Sequence, residues 1–181
     1  MADQTLGSVC LVDLVRTFRN YKALGDRALS QVSDADLHAL IDPDANSLAM
    51  IVKHLAGNLR SRFTDFLSTD GEKPDRDRDA EFEMPDQVSR EVIVGWWEEA
   101  WAIVFRELES LTADDLQKIV TIRSEPFLVI EAINRLSNHA AYHVGQIVLL
   151  AKHVNGPQWK TLSIPKGMSK MAKGTYKQAS R

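Results

Sequence analysis

Two histidines with helical spacing give the clearest sign of chemistry in the sequence. His139 and His143 lie four residues apart in the segment NHAAYHVGQ, which has the apolar periodicity of a helix. On an α-helix this spacing puts both side chains on one face about 6 Å apart, near enough for both to bind one metal ion. Buried neutral imidazoles need partners for their ring nitrogens, and two at one level favour a shared ion. We therefore predict a metal-binding pair.

A third ligand has to come from elsewhere, because protein metal sites usually have at least three. His153 is too far from His143, since the intervening helix rises about 1.5 Å per residue and separates them by about 15 Å. His38 falls in a short polar connector and is expected to be exposed to solvent. His54, on the polar edge of another predicted helix, is the favoured third ligand, although an ordinary helix-flanking histidine fits the same pattern.

Three neutral histidines suit a borderline divalent ion, of which we expect zinc or nickel, and leave at least one coordination position open. A thiol or water bound there loses its proton near neutral pH, and a bound carbonyl is polarised. Ala140 follows His139, so the zinc-protease motif with its glutamate base is absent. The residues that could orient the ligands or a substrate, each equally explicable as an ordinary helix-edge residue, are Asn58, Arg62, Tyr142 and Gln146.

Four long helices are predicted to position these side chains, because apolar residues recur at steps of three and four. Ser47 and Ser124 are the expected N-caps of the second and fourth helices. Trp97 and Trp101 are expected to anchor the core rather than to stack on a ligand. Four such helices predict an all-α bundle with sites between facing helices. The predicted helices span about 4–32, 48–67, 87–111 and 125–153.

The connecting segments are less regular. The acidic stretch 70–86 is predicted to be a long loop, either functional or a solvated crossover. Residues 118–123 are β-prone and predict an extended or hairpin-like detour. Residues 156–181 form a basic C-terminal arm, for which a solvated terminus is favoured over contact with DNA phosphates. The residues expected to anchor the arm are Trp159, Leu162 and Ile164.

The composition predicts one soluble domain over residues 1–181, with its core at about 4–155. The chain has 181 residues, 44% of them hydrophobic and 26% charged, and a formal net charge of -3. That charge indicates neither nucleic acid nor membrane as a partner. The single Cys10 excludes an internal disulfide framework, and the start lacks the pattern of a signal peptide. No apolar run approaches the ~20 residues of a membrane span, so we expect a cytoplasmic protein.

The histidine segments carry a resemblance to a known family. HLAGN around His54, followed after a long interval by NHAAYHVGQ around His139 and His143, resembles the DinB-like superfamily of metal-binding four-helix bundles. The resemblance implies that these three histidines are the metal ligands and that homodimers form through helix faces. The expected fold is an up-and-down four-helix bundle with a long connection between the second and third helices.

Two further segments, RSRFTDFLSTDGEKPDRDRDAEFE and WKTLSIPKGMS, are similar to a branch of that superfamily related to the YfiT-like proteins. The resemblance extends over roughly residues 1–170. No reaction is known for this branch. The first segment is a candidate to fold over the metal and bind substrate, although the motif assigns no role to its charged residues Arg76, Arg78, Asp79 and Glu81.

The resemblance implies a class of chemistry rather than a reaction. What look like relatives, the bacillithiol S-transferases and the mycothiol-dependent maleylpyruvate isomerases, use the metal to activate a low-molecular-weight thiol. We therefore expect a metal-dependent enzyme that activates a thiol or water toward a small electrophile, as a thiol S-transferase or a hydrolase. The alternative is a non-catalytic module in which the metal stiffens the bundle or marks a ligand-sensing pocket.

Overall fold

A computed structural model describes residues 5–84 and 88–171 of the chain. The predicted helix starts at residues 4 and 87, and the end of the predicted arm, lie outside this part. The protein is mostly helical, as predicted, with one short extra helix and one β-hairpin in the described residues. The elements are α1 (Leu6–Leu29), α2 (Asp34–His38), α3 (Leu48–Phe63), α4 (Arg90–Ser110), β1 (Ile119–Ile122), β2 (Glu125–Leu128) and α5 (Val129–Asn155).

Hydroxyl side chains cap the first four helices. Ser47 begins α3 as predicted, because its side chain accepts a hydrogen bond from the backbone N–H of Met50 at 3.2 Å. α5 begins differently, since the Glu131 carboxylate reaches back to the backbone N–H of Leu128 at 2.8 Å. The remaining capping residues are Thr5, Ser33 and Ser89.

The prediction that Ser124 caps the last helix is wrong. Residues Glu125–Leu128 form β2, which pairs antiparallel with β1, and α5 begins only at Val129. Arg123 and Ser124 form the hairpin turn with positive φ angles of 55° and 62°. The Asp70 carboxylate accepts hydrogen bonds from the backbone N–H groups of both, at 2.9 and 2.8 Å. This long-range contact helps to hold the turn, and no local sequence signal indicates it.

α3 and α4 pack side by side and run in the same direction. The Lys53 ammonium lies 5.9 Å from the ring centroid of Trp96. Further along the same two helices, Phe63 and Trp101 both contact Phe18 of α1. The connection between α3 and α4 therefore returns the chain to the level at which α3 began. An up-and-down order predicts opposite directions for these neighbouring helices. The expectation of an up-and-down order is therefore wrong for α3 and α4.

Two of the three tryptophans of α4 lie in the core, as predicted. Trp97 and Trp101 are 1% and 0% exposed. The indole N–H of Trp97 donates to the Asp26 carboxylate at 2.7 Å, which satisfies its polar atom. The ring lies so close to Gly25 of α1 that a Cβ at that position would be 2.5 Å from it. α1 and α4 are thereby packed together, and α1 also lies along α5.

The described part of the C-terminal arm, residues 156–171, packs partly on the helices. The side chain of Gln31 bonds to the backbone N–H and C=O of Lys160, at 2.7 and 3.1 Å. Trp159 and Leu162 pack against the core, whereas Ile164 is 46% exposed and does not anchor the arm as expected. Within residues 5–84 and 88–171, no helix combines the length and hydropathy that crossing a membrane requires.

Candidate metal centre

α3 and α5 bring together the three histidines that the sequence predicts as ligands. Each of His54, His139 and His143 offers a ring nitrogen, and these three nitrogens all lie within 4.8 Å of one another. His54 and His143 are buried, and His139 is half-buried. The other two histidines lie elsewhere. His38 is half-buried at the end of α2 rather than exposed as expected, because its Nε2 bonds to the backbone oxygen of Val88 at 2.9 Å. His153 is exposed near the end of α5.

Glu81 fixes the orientation of the His54 ring. Nδ1 of His54 lies 2.8 Å from Oε2 of Glu81, and the guanidinium of Arg76 donates to both carboxylate oxygens at 2.8 and 3.0 Å. Burial raises the pKa of Glu81, but the hydrogen bonds from His54 and Arg76 outweigh it and lower that pKa below its usual value. Nδ1 therefore carries the proton, and the Nε2 lone pair of His54 is available to a metal.

Gln146 does the same for the second buried ring. Its Oε1 lies 2.8 Å from Nδ1 of His143, and its Nε2 donates to the Tyr142 hydroxyl at 3.1 Å. We assign the Nδ1 proton to His143 on this network, which leaves the Nε2 lone pair free. Both Gln146 and Tyr142 are thus placed where the sequence predicts ligand-orienting groups. Tyr142 contacts Gln146, and only Gln146 contacts the His143 ring through this network.

The spacing of the ring nitrogens fits a shared ion. Nε2 of His139 lies 3.1 Å from Nε2 of His143. Two nitrogens bound to one tetrahedral zinc ion are separated by about 3.3 Å. Nδ1 of His139 is buried and has no hydrogen-bond partner in the described part of the chain. The donor set, three imidazoles of which two are held by hydrogen bonds, therefore fits a divalent ion.

Burial keeps the ligands in the form that binds metal. Burial, together with the charges of His143 and His54, lowers the pKa of His139 to about 3. Burial and the charge of His54 lower the pKa of His143 to about 4. Both rings are therefore neutral at pH 7, where a protonated imidazole would be unable to coordinate a metal.

The loop between α3 and α4 folds back onto this centre, which agrees with the interpretation of the loop segment. Phe82 stacks on the His54 ring with 4.5 Å between the ring centroids. Arg78 lies 5.5 Å from the Phe82 ring centroid, while the side chain of Asp79 is 95% exposed. Of the four charged loop residues in the motif, two thus reach the centre. Glu81 contacts His54 directly, and Arg76 is linked to His54 through Glu81.

An ion-pair cluster holds the start of the loop. Glu72 accepts hydrogen bonds from Arg62 and Arg123 at 2.8 and 2.7 Å and pairs with Arg76 at 3.4 Å. Burial raises the pKa of Glu72, but the bonds from Arg62 and Arg123 outweigh it and lower the pKa to about 2. Arg62 also donates to the backbone oxygen of Gly71. Arg62, a candidate substrate-orienting group in the sequence, therefore holds the loop.

A cavity of about 550 Å3 adjoins the three histidines. Its wall includes the candidate orienting residues Asn58, Tyr142 and Gln146, together with Phe82 from the loop. Asn58 is 7% exposed, and its Oδ1 atom is buried without a hydrogen-bond partner among the described residues. The volume is sufficient for a small molecule next to the nitrogens that would hold a metal.

The fold and the site define a helical protein with a group of three histidines that could hold a metal ion. The chain belongs to the family described as "Protein of unknown function (DUF1572)", which it matches over residues 6–168. That match covers α1 to α5 and includes all three histidines. No curated protein matches the chain.

Proposed function

We propose that the protein is a metal-dependent enzyme with a DinB-like four-helix-bundle fold, in which His54, His139 and His143 hold one zinc or nickel ion. One observation carries the proposal: three imidazole rings converge, and hydrogen bonds between their Nδ1 atoms and Glu81 or Gln146 orient two of them. Such support for ligand orientation is typical of functional metal centres.

The reaction proposed is the activation of a low-molecular-weight thiol or of water toward a small electrophile. A divalent ion at this position supplies Lewis acidity, which lowers the pKa of a bound thiol or water and polarises a carbonyl. The chain contributes the rest of the site. Glu81 and Gln146 hold the imidazoles in place, Phe82 and the loop limit access of water to His54, and the Tyr142 hydroxyl lines the cavity as a proton donor for a substrate oxygen.

Turnover with and without metal tests this proposal. The metal-loaded protein is assayed against a panel of thiols with small electrophiles and against small esters and amides. We expect product from one class, with a rate about 100-fold lower after chelation or in His143→Ala. The control His153→Ala removes an exposed histidine outside the centre and leaves the rate unchanged. Equal rates in loaded and stripped protein, or no turnover in the whole panel, contradict an enzymatic function.

A structural role is the second candidate, because Glu81 and Phe82 of the loop contact His54. A metal on His54 and the two histidines of α5 would tether the loop to both helices. In that case chelation lowers the melting temperature by many degrees, and no activity appears in the panel. The two candidates are thus separated by turnover, with metal binding common to both.

We also propose a cytoplasmic homodimer. Three apolar side chains near the start of α1, Leu6, Val9 and Val12, are exposed. Exposed apolar side chains grouped on one helix are typical of an interface. Val12→Asp should dissociate the dimer in sedimentation velocity, whereas Val94→Asp, on α4, should not. A monomeric wild-type protein at micromolar concentration contradicts this.

A further inference from the structure

The cavity next to the histidines is lined by positive charge. Among the described residues, the lysine, arginine, aspartate and glutamate side chains that line it are all arginines. No aspartate or glutamate of residues 5–84 and 88–171 contributes to this wall. The arginines are Arg62, Arg76, Arg78, Arg123 and Arg135.

Carboxylates behind the wall balance only part of this charge. Glu72 pairs with Arg62, Arg76 and Arg123, and Glu81 pairs with Arg76. These two carboxylates leave an excess of three positive charges among the five guanidinium groups that line the cavity. Asp79 does not change this balance much, because it lies 3.9 Å from Arg78 with 95% of its side chain exposed, where water screens the pair.

Arg135, which is exposed to solvent, has no carboxylate partner in the described part of the chain. Within the described residues it forms neither a hydrogen bond with a side chain nor an ion pair. It lies on α5 four residues before His139, on the same side of the helix. Both side chains line the same cavity, so a group bound to Arg135 would occupy the space next to the histidines.

A second unpartnered group lines the same cavity. Asn58 is only 7% exposed, and its Oδ1 atom accepts no hydrogen bond from the described residues. A buried acceptor without a partner costs free energy unless a ligand or water donates to it. Its position on α3, one turn after His54, places it beside the histidines rather than at the cavity mouth.

We propose that this cavity binds a small organic anion, with a carboxylate or phosphate on Arg135 and a hydroxyl or amine donating to Asn58. The inference rests on the proposed function, because the remaining polar atom of such a ligand would lie at the open position of the metal. It names the substrate class of that site: a small anion that also carries a hydrogen-bond donor. Arginine is suited to both oxyanions, because its guanidinium presents paired donors.

Binding of defined anions tests the proposal without requiring turnover. Malate and inorganic phosphate are titrated calorimetrically into the protein, with glycerol as the uncharged comparison. We expect one of the anions to bind at least about tenfold more tightly than glycerol, and Arg135→Gln to lose about tenfold of that affinity. Tighter binding of malate identifies a carboxylate ligand, and tighter binding of phosphate identifies a phosphate ligand.

The matched control is Arg106→Gln, which removes an equal charge from an exposed position on α4 that does not line the cavity. The anion affinity of this variant should equal that of the wild type. If both arginine variants weaken binding equally, or neither anion binds more tightly than glycerol, the proposal is overturned. Circular dichroism checks that each variant is folded.

The same titrations, made on metal-loaded protein and on protein stripped by chelation and dialysed, separate this proposal from the proposed function. If the protein holds no metal but still binds an anion in an Arg135-dependent way, the anion site stands and the metal-dependent function fails. If metal is bound and Arg135→Gln has no effect on either anion, the metal centre stands and the anion site fails.

Discussion

Glu81 reaches His54 through a space that only a glycine leaves open. A Cβ placed on Gly57 of α3 would be 2.4 Å from Oε1 of Glu81, far inside any van der Waals contact. Glu81 is buried and already bonded to Arg76, so it has little room to shift. Gly145 of α5 is also helical, yet a Cβ there would have no atom within 4 Å. The two glycines therefore form a matched pair.

Gly57→Ala should displace the Glu81 carboxylate and weaken metal binding by about 10- to 100-fold, the usual cost of losing a group that orients a ligand. Competition with a chromophoric chelator measures the affinity. Gly145→Ala should leave the affinity unchanged and stabilise the helix by about 1 kcal/mol. Equal affinities in the two variants would show that the contact between Glu81 and His54 does not support metal binding.

The low pKa values of the α5 histidines predict how the metal-free protein responds to acid. Burial, with neighbouring histidines, lowers the pKa to about 3 for His139 and about 4 for His143. Below pH 6.5 these histidines bind protons in the unfolded chain but not in the folded one. The free energy of unfolding should therefore fall as the pH decreases from 6.5 toward 4.

Urea unfolding of chelator-treated protein at pH 7.5 and 5.5 measures this dependence. The double variant His139→Gln, His143→Gln should lose part of it, whereas His153→Gln should keep it, because His153 is exposed. A wild-type stability that is constant or higher at pH 5.5 contradicts the lowered pKa values.

At the scale of single residues, the sequence predicts the metal ligands better than it predicts the residues that orient them. The spacing of His139 and His143 follows from helix geometry alone, and the resemblance adds His54. The role of Glu81 could not be predicted, because it is one of several acidic residues in a loop without periodicity. Its contact with His54 spans 27 residues and depends on the path of the loop.

At the scale of the elements, the hairpin and the loop hold each other. The Asp70 carboxylate accepts three backbone N–H groups, one from Glu72 in the loop and two from Arg123 and Ser124 in the hairpin turn. Burial raises the pKa of Asp70, but these backbone bonds outweigh it and hold that pKa far below its usual value. The hairpin thus fixes the start of the segment that carries Glu81.

Asp70→Ala should release the loop from the hairpin. We expect the free energy of unfolding to fall by about 1 kcal/mol, a value that allows for solvent screening at a half-exposed group. Hydrogen exchange of residues 70–84 should become faster, and metal affinity should decrease. The control Asp79→Ala removes an exposed carboxylate from the same loop and should change neither quantity. Unchanged loop protection in Asp70→Ala would mean that the hairpin does not position the loop.

The helices themselves were predictable because apolar periodicity and hydroxyl caps are local signals. The ends of the helices were less predictable. α3 ends at Phe63 rather than at residue 67, and Asp65, two residues beyond this end, has a positive φ of 50° that is not helical. The segment Glu125–Leu128 has a capping serine before it and a proline within it, which favours a helix start. Pairing with β1 and the contact of Asp70 with the turn override those local preferences.

At the scale of the whole molecule, the path of the chain explains why distant histidines converge. The connection between α3 and α4 contributes Glu81 and Phe82 to the centre as it returns along the helices. Sequence periodicity predicts four long helices but not their directions, because an amphipathic helix can pack either way round. The same direction of α3 and α4 depends on contacts such as Lys53 with Trp96, which are not encoded in either helix alone.

The metal content of the purified protein tests the central claim most directly. Protein prepared without chelators or nickel resin is measured by elemental mass spectrometry. We predict about one zinc or nickel ion per chain, lost from His54→Ala, His139→Ala and His143→Ala and retained in His38→Ala and His153→Ala. Absence of stoichiometric metal in the wild type, or equal metal in the wild type and the three ligand variants, would contradict the account.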